Sequence, residues 1–215
     1  MIDFTLKHAD MSWGWHVGFA RRRSASERSL HQTDDVSFTD ESQRILADVE
    51  GAIGELAFCR MFGKPWDARV DYRPTSDLPG KIEIRSKFLR RPYMKMRGSA
   101  DAAKARESIF VSMTILDSDK LTVKNWREHP EYFLRWRCDG WLDGATFLSL
   151  PLVQNPYNKQ LWERQAELSI LYDTDSLLKE IESRLQLGCW ADRKANDWLT
   201  AALRERQGGA HERIA

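Results

Sequence analysis

A chain of 215 residues with 42% hydrophobic and 30% charged side chains has material for one core of ordinary size and room for a helical appendage. No apolar run approaches the roughly 18–20 residues that cross a bilayer, and the first seven residues lack the order of a signal peptide, so a cytoplasmic protein without membrane partners is expected. The net charge of +1 excludes little, but residues 81–97 carry seven basic side chains against one acid, a local +6 that suits a polyanion.

Residues 1–30 place Trp13, Trp15, Val17 and Phe19 ahead of Arg21, Arg22 and Arg23. The aromatics predict a short helix or strand docked on the body, and the arginine triplet reads either as a solvated basic stretch or as a phosphate contact. A polar connector over 31–38 leads to Thr39 as an N-cap, with Asp40 and Glu41 in the first helical turn. Ile45, Leu46, Val49, Ile53, Leu56 and Ala57 recur at helical spacing to about Phe62, and Gly63 and Pro65 end the helix. Gly51 and Gly54 within it each cost about 1 kcal/mol relative to alanine, which points to close packing against another backbone.

Residues 67–73 predict a first strand and 81–88 a second. In the second, Ile82, Ile84 and Phe88 alternate with Lys81, Glu83, Arg85 and Lys87, giving an apolar back and a charged front. Residues 93–97 predict a third strand, 99–107 a loop or short helix, 108–116 a buried strand and 132–138 another. Residues 146–150 predict a strand closing the sheet, after tight turns at Gly140 and Gly144. Beyond Pro156 the pattern turns helical. Thr174 or Asp175 caps a helix containing Leu177, Leu178, Ile181 and Leu185, and Trp190, Trp198, Leu199 and Leu203 form a further amphipathic segment.

Cys59, Cys138 and Cys189 lie far apart, and the five histidines are scattered, so a zinc or iron–sulfur site built from them is not expected. A metal here would be held by oxygen, which favours Mg²⁺ or Mn²⁺. The carboxylates suited to it are Glu55 inside the apolar helix, Asp77 in a turn containing Pro79 and Gly80, and Glu83 on the charged strand. Side chains two apart share a strand face, so Arg85 and Lys87 neighbour Glu83 and can hold a phosphate or steady an attacking hydroxide. Arg90, Arg91, Lys95 and Arg97 are candidate contacts to a nucleic-acid backbone.

A helical Glu, then an Asp, then Glu-x-cation on a strand resembles the signature of the PD-(D/E)XK nuclease superfamily. Residues 51–57, Gly-Ala-Ile-Gly-Glu-Leu-Ala, are similar to the Gly-x-x-Gly-Glu-x-Ala helix of its phage-type members. The strand from Ile109 to Ile115 and a Gly140-Trp141-Leu142 turn extend the resemblance over roughly residues 40–150. It implies a restriction-endonuclease-like α/β or α+β fold, a central mixed sheet flanked by helices. It also implies Mg²⁺-dependent cleavage of DNA, with Glu55, Asp77, Glu83 and the Ile84 carbonyl as metal ligands. On this basis residues 1–38 are an N-terminal aromatic and basic segment, 39–155 the nuclease-like core and 156–215 a C-terminal helical extension.

The lysine of that signature is Arg85 here, and arginine cannot lose its proton to act as a base. Three readings stay open: Arg85 clamps phosphate, Lys87 replaces it, or catalysis is lost. Glu50 is the alternative to Glu55 if the helix register differs. Two other functions compete: a catalytically inactive nucleic-acid-binding module of the same fold, and an assembly protein docking a copy of itself or another protein through its C-terminal helices.

Overall fold

The computed structural model describes residues 1–27, 41–70, 77–78, 80–88, 93–98, 102–122, 125–155 and 161–186. The Thr39 cap, Pro79, Arg90, Arg91, Cys189 and the segment bearing Trp190, Trp198, Leu199 and Leu203 lie outside them. The chain opens with a strand, β1 (Ile2–Thr5), and a helix, α1 (His8–Glu27). Trp15 of α1 packs near Trp126 and edge-on to Phe133, which is the docking that the aromatics predicted. The next helix, α2 (Glu41–Met61), buries Val49, Ile53, Leu56, Ala57 and Phe58 at helical spacing. Gly18 lets α1 approach α2, because a Cβ there would stand 2.8 Å from Val49 N and from Val49 Cγ2. Gly18→Ala is therefore expected to lower stability by about 1–3 kcal/mol in urea denaturation. An unchanged midpoint would show that the two helices part freely.

Residues 67–70 are irregular, so the first predicted strand is absent where the chain is described. The charged strand is β2 (Ile82–Phe88), and β3 (Tyr93–Arg97) follows it. A short helix, α3 (Ala102–Glu107), leads into β4 (Ile109–Ile115), in which every side chain is buried. A 3-10 turn at Pro130–Phe133 takes the place of the start predicted for the next strand, β5, which runs over Arg135–Asp143. Gly140 lies within β5 rather than in a turn. The register slips by one residue opposite Ser112 and Met113, leaving Asp139 as a bulge, and Gly140 has φ +145.

Residues 144–149 form a helix, α4 (Gly144–Ser149), and not the predicted closing strand. Asp143 caps it by accepting from Thr146 N. The first described element beyond Pro156 is a strand and not the predicted helix. A short strand, β6 (Leu152–Gln154), pairs with β7 (Trp162–Glu167), and only then does α5 (Thr174–Gln186) begin. Its cap is Asp173, whose Oδ1 accepts from the backbone of Asp175 and Ser176, in place of Thr174 or Asp175.

The result is a mixed α/β architecture with two sheets. The larger has the order β1-β5-β4-β2, with β2 parallel to β4 and the other pairs antiparallel. The smaller is antiparallel, in the order β3-β7-β6. One core joins α1, α2 and α5 to the face carrying Ile82, Ile84, Ile109, Val111 and Ile115. A second core gathers Met94, Met96, Ala105, Phe110, Leu142, Phe147 and Ala166 on the opposite side. The charged front of β2 is consequently covered in part, with Glu83 at 5% exposure and Lys87 at 4%, while Arg85 is half-buried and Lys81 exposed. No helix among the described residues is long and apolar enough to cross a membrane.

Candidate active site

The candidate site lies along β2, the edge strand of the larger sheet among the described strands. Leu78 N donates to Ile82 O, and Gly80 and Lys81 both take positive φ, so the chain folds back within a few residues. Arg184 of α5 donates to Gly80 O and Glu107 O and ties this turn to the end of α3. The turn sets Asp77 beside the outer edge of β2, where its Oδ2 accepts from Ile84 N at 2.8 Å.

Glu83 and Arg85 project to the face of Phe110 and Ser112, their register partners on β4. Arg85 reaches along the edge of its own strand. Its Nη1 lies 3.4 Å from Asp77 Oδ2 and 3.2 Å from the Ile84 carbonyl, and its Nη2 lies 3.2 Å from Glu83 Oε2. The guanidinium also sits 5.3 Å from the centroid of the Phe110 ring. Lys104 of α3 stands 3.1 Å from Glu83 Oε1. That oxygen is buried and accepts no hydrogen bond.

Glu55 arrives on α2 from the other face of the sheet. Gly54 permits the close approach, because a Cβ there would collide with Ser86 Oγ of β2. The Glu55 carboxylate is gripped by Arg21, with Nη1–Oε1 at 2.7 Å and Nη2–Oε2 at 2.6 Å, and Trp66 Nε1 adds a third donor at 3.3 Å. Arg21 Nε donates to Arg69 O, so the whole fork is committed. Burial pulls the Arg21 guanidinium down, but the charges of Glu55, Asp77 and Asp48 outweigh it and hold it above its ordinary value.

Asp77 carries the strongest sign of a crowded field. Burial first, and then the charges of Glu55 and Glu83, push its carboxyl up to about 7, against the opposing pull of Arg85 and the Ile84 N–H. Glu55 and Glu83 therefore act on Asp77 together. Glu50, the alternative to Glu55, is buried on the same helix and is not among the charges that dominate this field.

The other predicted residues are placed elsewhere. Lys87 shares the strand face of Glu83 but is buried against Asp139, at 3.1 Å, and Ser112 and Thr114 also donate to that carboxylate. It is a structural cation, so the reading in which Lys87 replaces the missing lysine is not favoured by its position. Lys95 pairs with Glu163 of β7 at 3.1 Å, and Arg97 is exposed at the end of β3. Of the arginine triplet, Arg21 holds Glu55 and Arg22 is buried on Glu41, while Arg23 is exposed in a pair with Glu27 of its own helix. Cys59 and Cys138 are buried free thiols held in the protonated form by burial, Cys138 at about 12.

Three hard oxygens, Asp77 Oδ2, Glu83 Oε2 and the Ile84 carbonyl, thus face the guanidinium of Arg85. Among the described residues no group of three acidic, histidine or cysteine side chains is spaced to hold a metal ion. In this arrangement the donors fit a guanidinium and not a divalent ion. Compared with family models, curated proteins and solved structures, the chain has no match.

Proposed function

We propose that this chain acts on nucleic acid at the edge of β2, as a nuclease hydrolysing DNA phosphodiester bonds with Mg²⁺ or Mn²⁺ as its cofactor. The observation that carries this reading is the grouping of Asp77, Glu83 and the Ile84 carbonyl around the guanidinium of Arg85, within the field of Glu55. A carboxyl shifted by burial together with specific charge partners is a candidate for a functional role. The PD-(D/E)XK resemblance supports the same residues independently of this geometry. Arg85 and Lys104 are the side chains that would take the scissile phosphate, and an arginine can grip it with two donors.

One observation favours a second reading, a nucleic-acid-binding module without cleavage. Each carboxylate already has a cation of its own: Arg21 on Glu55, Arg85 on Asp77 and Glu83, and Lys104 on Glu83. Cleavage of labelled single-stranded, duplex and branched DNA with Mg²⁺, Mn²⁺ or EDTA separates the two. The nuclease reading expects metal-dependent cutting that falls at least about 100-fold in Glu83→Ala, in line with the loss of a group that stabilises the transition state. DNA bound but uncut under every condition establishes the module. Neither binding nor cutting overturns both.

A further inference from the structure

Asp77, Arg85, Glu83 and Lys104 form a line of ion pairs along the edge of β2. Arg85 joins Asp77 Oδ2 at 3.4 Å to Glu83 Oε2 at 3.2 Å, and Lys104 takes the other oxygen of Glu83 at 3.1 Å. The middle of the line is set by the sheet, because Glu83 and Arg85 lie in register with Phe110 and Ser112 of β4. The two ends come from elsewhere: Asp77 from the turn before β2, and Lys104 from α3, a helix of six residues. Both end groups are partly exposed, and ion pairs between such groups contribute little on their own. The ends therefore need another support.

We propose that Arg184 is a positioning residue for this site, setting Asp77 and Lys104 at the spacing that Arg85 and Glu83 fill. Arg184 Nη1 donates to Gly80 O at 3.0 Å and to Glu107 O at 2.9 Å. Gly80 comes three residues after Asp77, and Glu107 three residues after Lys104, so one nitrogen joins the two segments that carry the ends of the line. The line of ion pairs thus closes on itself through Arg184. The guanidinium is held in turn, because its Nε donates to Glu180 Oε1 at 2.6 Å, and Leu177 and Ile181 anchor α5 in the core. Glu107 O ends a helix and calls for a donor in any fold, but Gly80 O does not, and serving both fixes the distance between them. Lys81 and Glu107 pair across the same gap, yet both side chains are more than half exposed and add little. The consequence for catalysis rests on the nuclease reading given above: a reacting group displaced by about 1 Å through a remote change can lose about 100-fold in rate.

The Ile84 N–H reports on this brace, because its acceptor is Asp77 Oδ2. The test follows amide hydrogen exchange by NMR in wild type, Arg184→Met and Lys179→Met, the last a control at an exposed position of α5. In Arg184→Met the Ile84 amide is expected to exchange at least about tenfold faster relative to the amides of β4, the scale of losing one hydrogen bond to a charged group. Lys179→Met should leave that ratio unchanged. A general loss of stability speeds the β4 amides at least as much as Ile84, so an unchanged or lower ratio in Arg184→Met overturns the proposal. If Arg184→Met does not fold, Arg184→Lys decides by the same ratio, since a single ammonium on a shorter arm replaces the rigid fork. Cleavage of labelled DNA is the second readout: kcat should fall at least about tenfold in Arg184→Met with KM nearly unchanged, and an unchanged kcat overturns the role in catalysis. Absence of cleavage by wild type counts against the nuclease reading instead, and the exchange ratio still decides whether Arg184 sets Asp77.

Discussion

Lys87→Ala is expected to destabilise the fold by roughly 3–5 kcal/mol, the usual cost of stranding one partner of a buried ion pair. Lys87 and Asp139 are 5% and 4% exposed, and their contact at 3.1 Å is reinforced by the hydroxyls of Ser112 and Thr114. Removing the ammonium leaves a carboxylate with two hydroxyl donors and only the more distant charge of Arg137, between β2, β4 and β5. The pair also fixes the bulge, because Asp139 is the residue that β5 leaves out of register with β4. Asp139→Ala should be comparably harmful. A joint replacement, Lys87→Met with Asp139→Asn, should recover much of the loss, since neither charge is then stranded. Chemical denaturation of the three variants measures this directly. A double variant losing as much stability as the two single variants together would show that the two charges are not coupled. The double variant also bears on function, because a structural Lys87 predicts that it keeps whatever DNA cleavage the wild type shows.

The parts of the chain that were readable from sequence are those in which one periodicity dominates. The apolar spacing of α2 and the alternation of β2 appear where expected, as does the uninterrupted apolar run of β4, which parallel pairing with β2 helps to bury on both faces. Elsewhere the local signal pointed the wrong way. Gly140 carries a turn residue's identity, yet its positive φ serves a bulge inside β5 and admits the Tyr172 carbonyl, which pairs with Trp141 N. Residues 162–167 contain no β-branched side chain and form a strand because β3 and β6 lie on either side of them. Residues 146–150 looked like a strand, but Asp143, three residues ahead of Thr146, was a capping signal in plain view.

The candidate site divides in the same way. The carboxylates were identifiable because their residue types and local contexts are distinctive. Their counter-ions were not. Arg21 lies 34 residues from Glu55, on a different helix, and Lys104 meets Glu83 only because α3 folds over the strand. No spacing rule connects such positions. The charged face of β2 suggested solvent or substrate, and Glu83 and Lys87 on it are buried instead, beside a second core.

Asp77→Asn is expected to raise stability at pH 8 by about 1–3 kcal/mol while leaving it nearly unchanged at pH 4. The sign follows from linkage. The Asp77 carboxyl titrates at about 7 in the folded protein, against 3.8 for an ordinary aspartate, so between those values the folded state binds more protons than the unfolded one. Its contribution to stability is complete below about pH 3.8, declines as pH rises and is lost above about 7. Each unit of displacement corresponds to about 1.4 kcal/mol, which would give about 4 kcal/mol for the full span. Asparagine recovers less than that, because it keeps an acceptor for Ile84 N–H but gives up its attraction to Arg85. Asp48, raised to about 6 chiefly by burial, contributes a slope of the same sign at lower pH, so the interval from 6 to 8 isolates Asp77. Thermal unfolding of wild type and Asp77→Asn across that interval should give curves that diverge as pH rises. Parallel curves would mean that Asp77 ionises freely and that the three carboxylates do not share a field. Divergence would show the protein tolerating a destabilising charge where it costs most, as expected when side chains are placed for chemistry at the expense of folding.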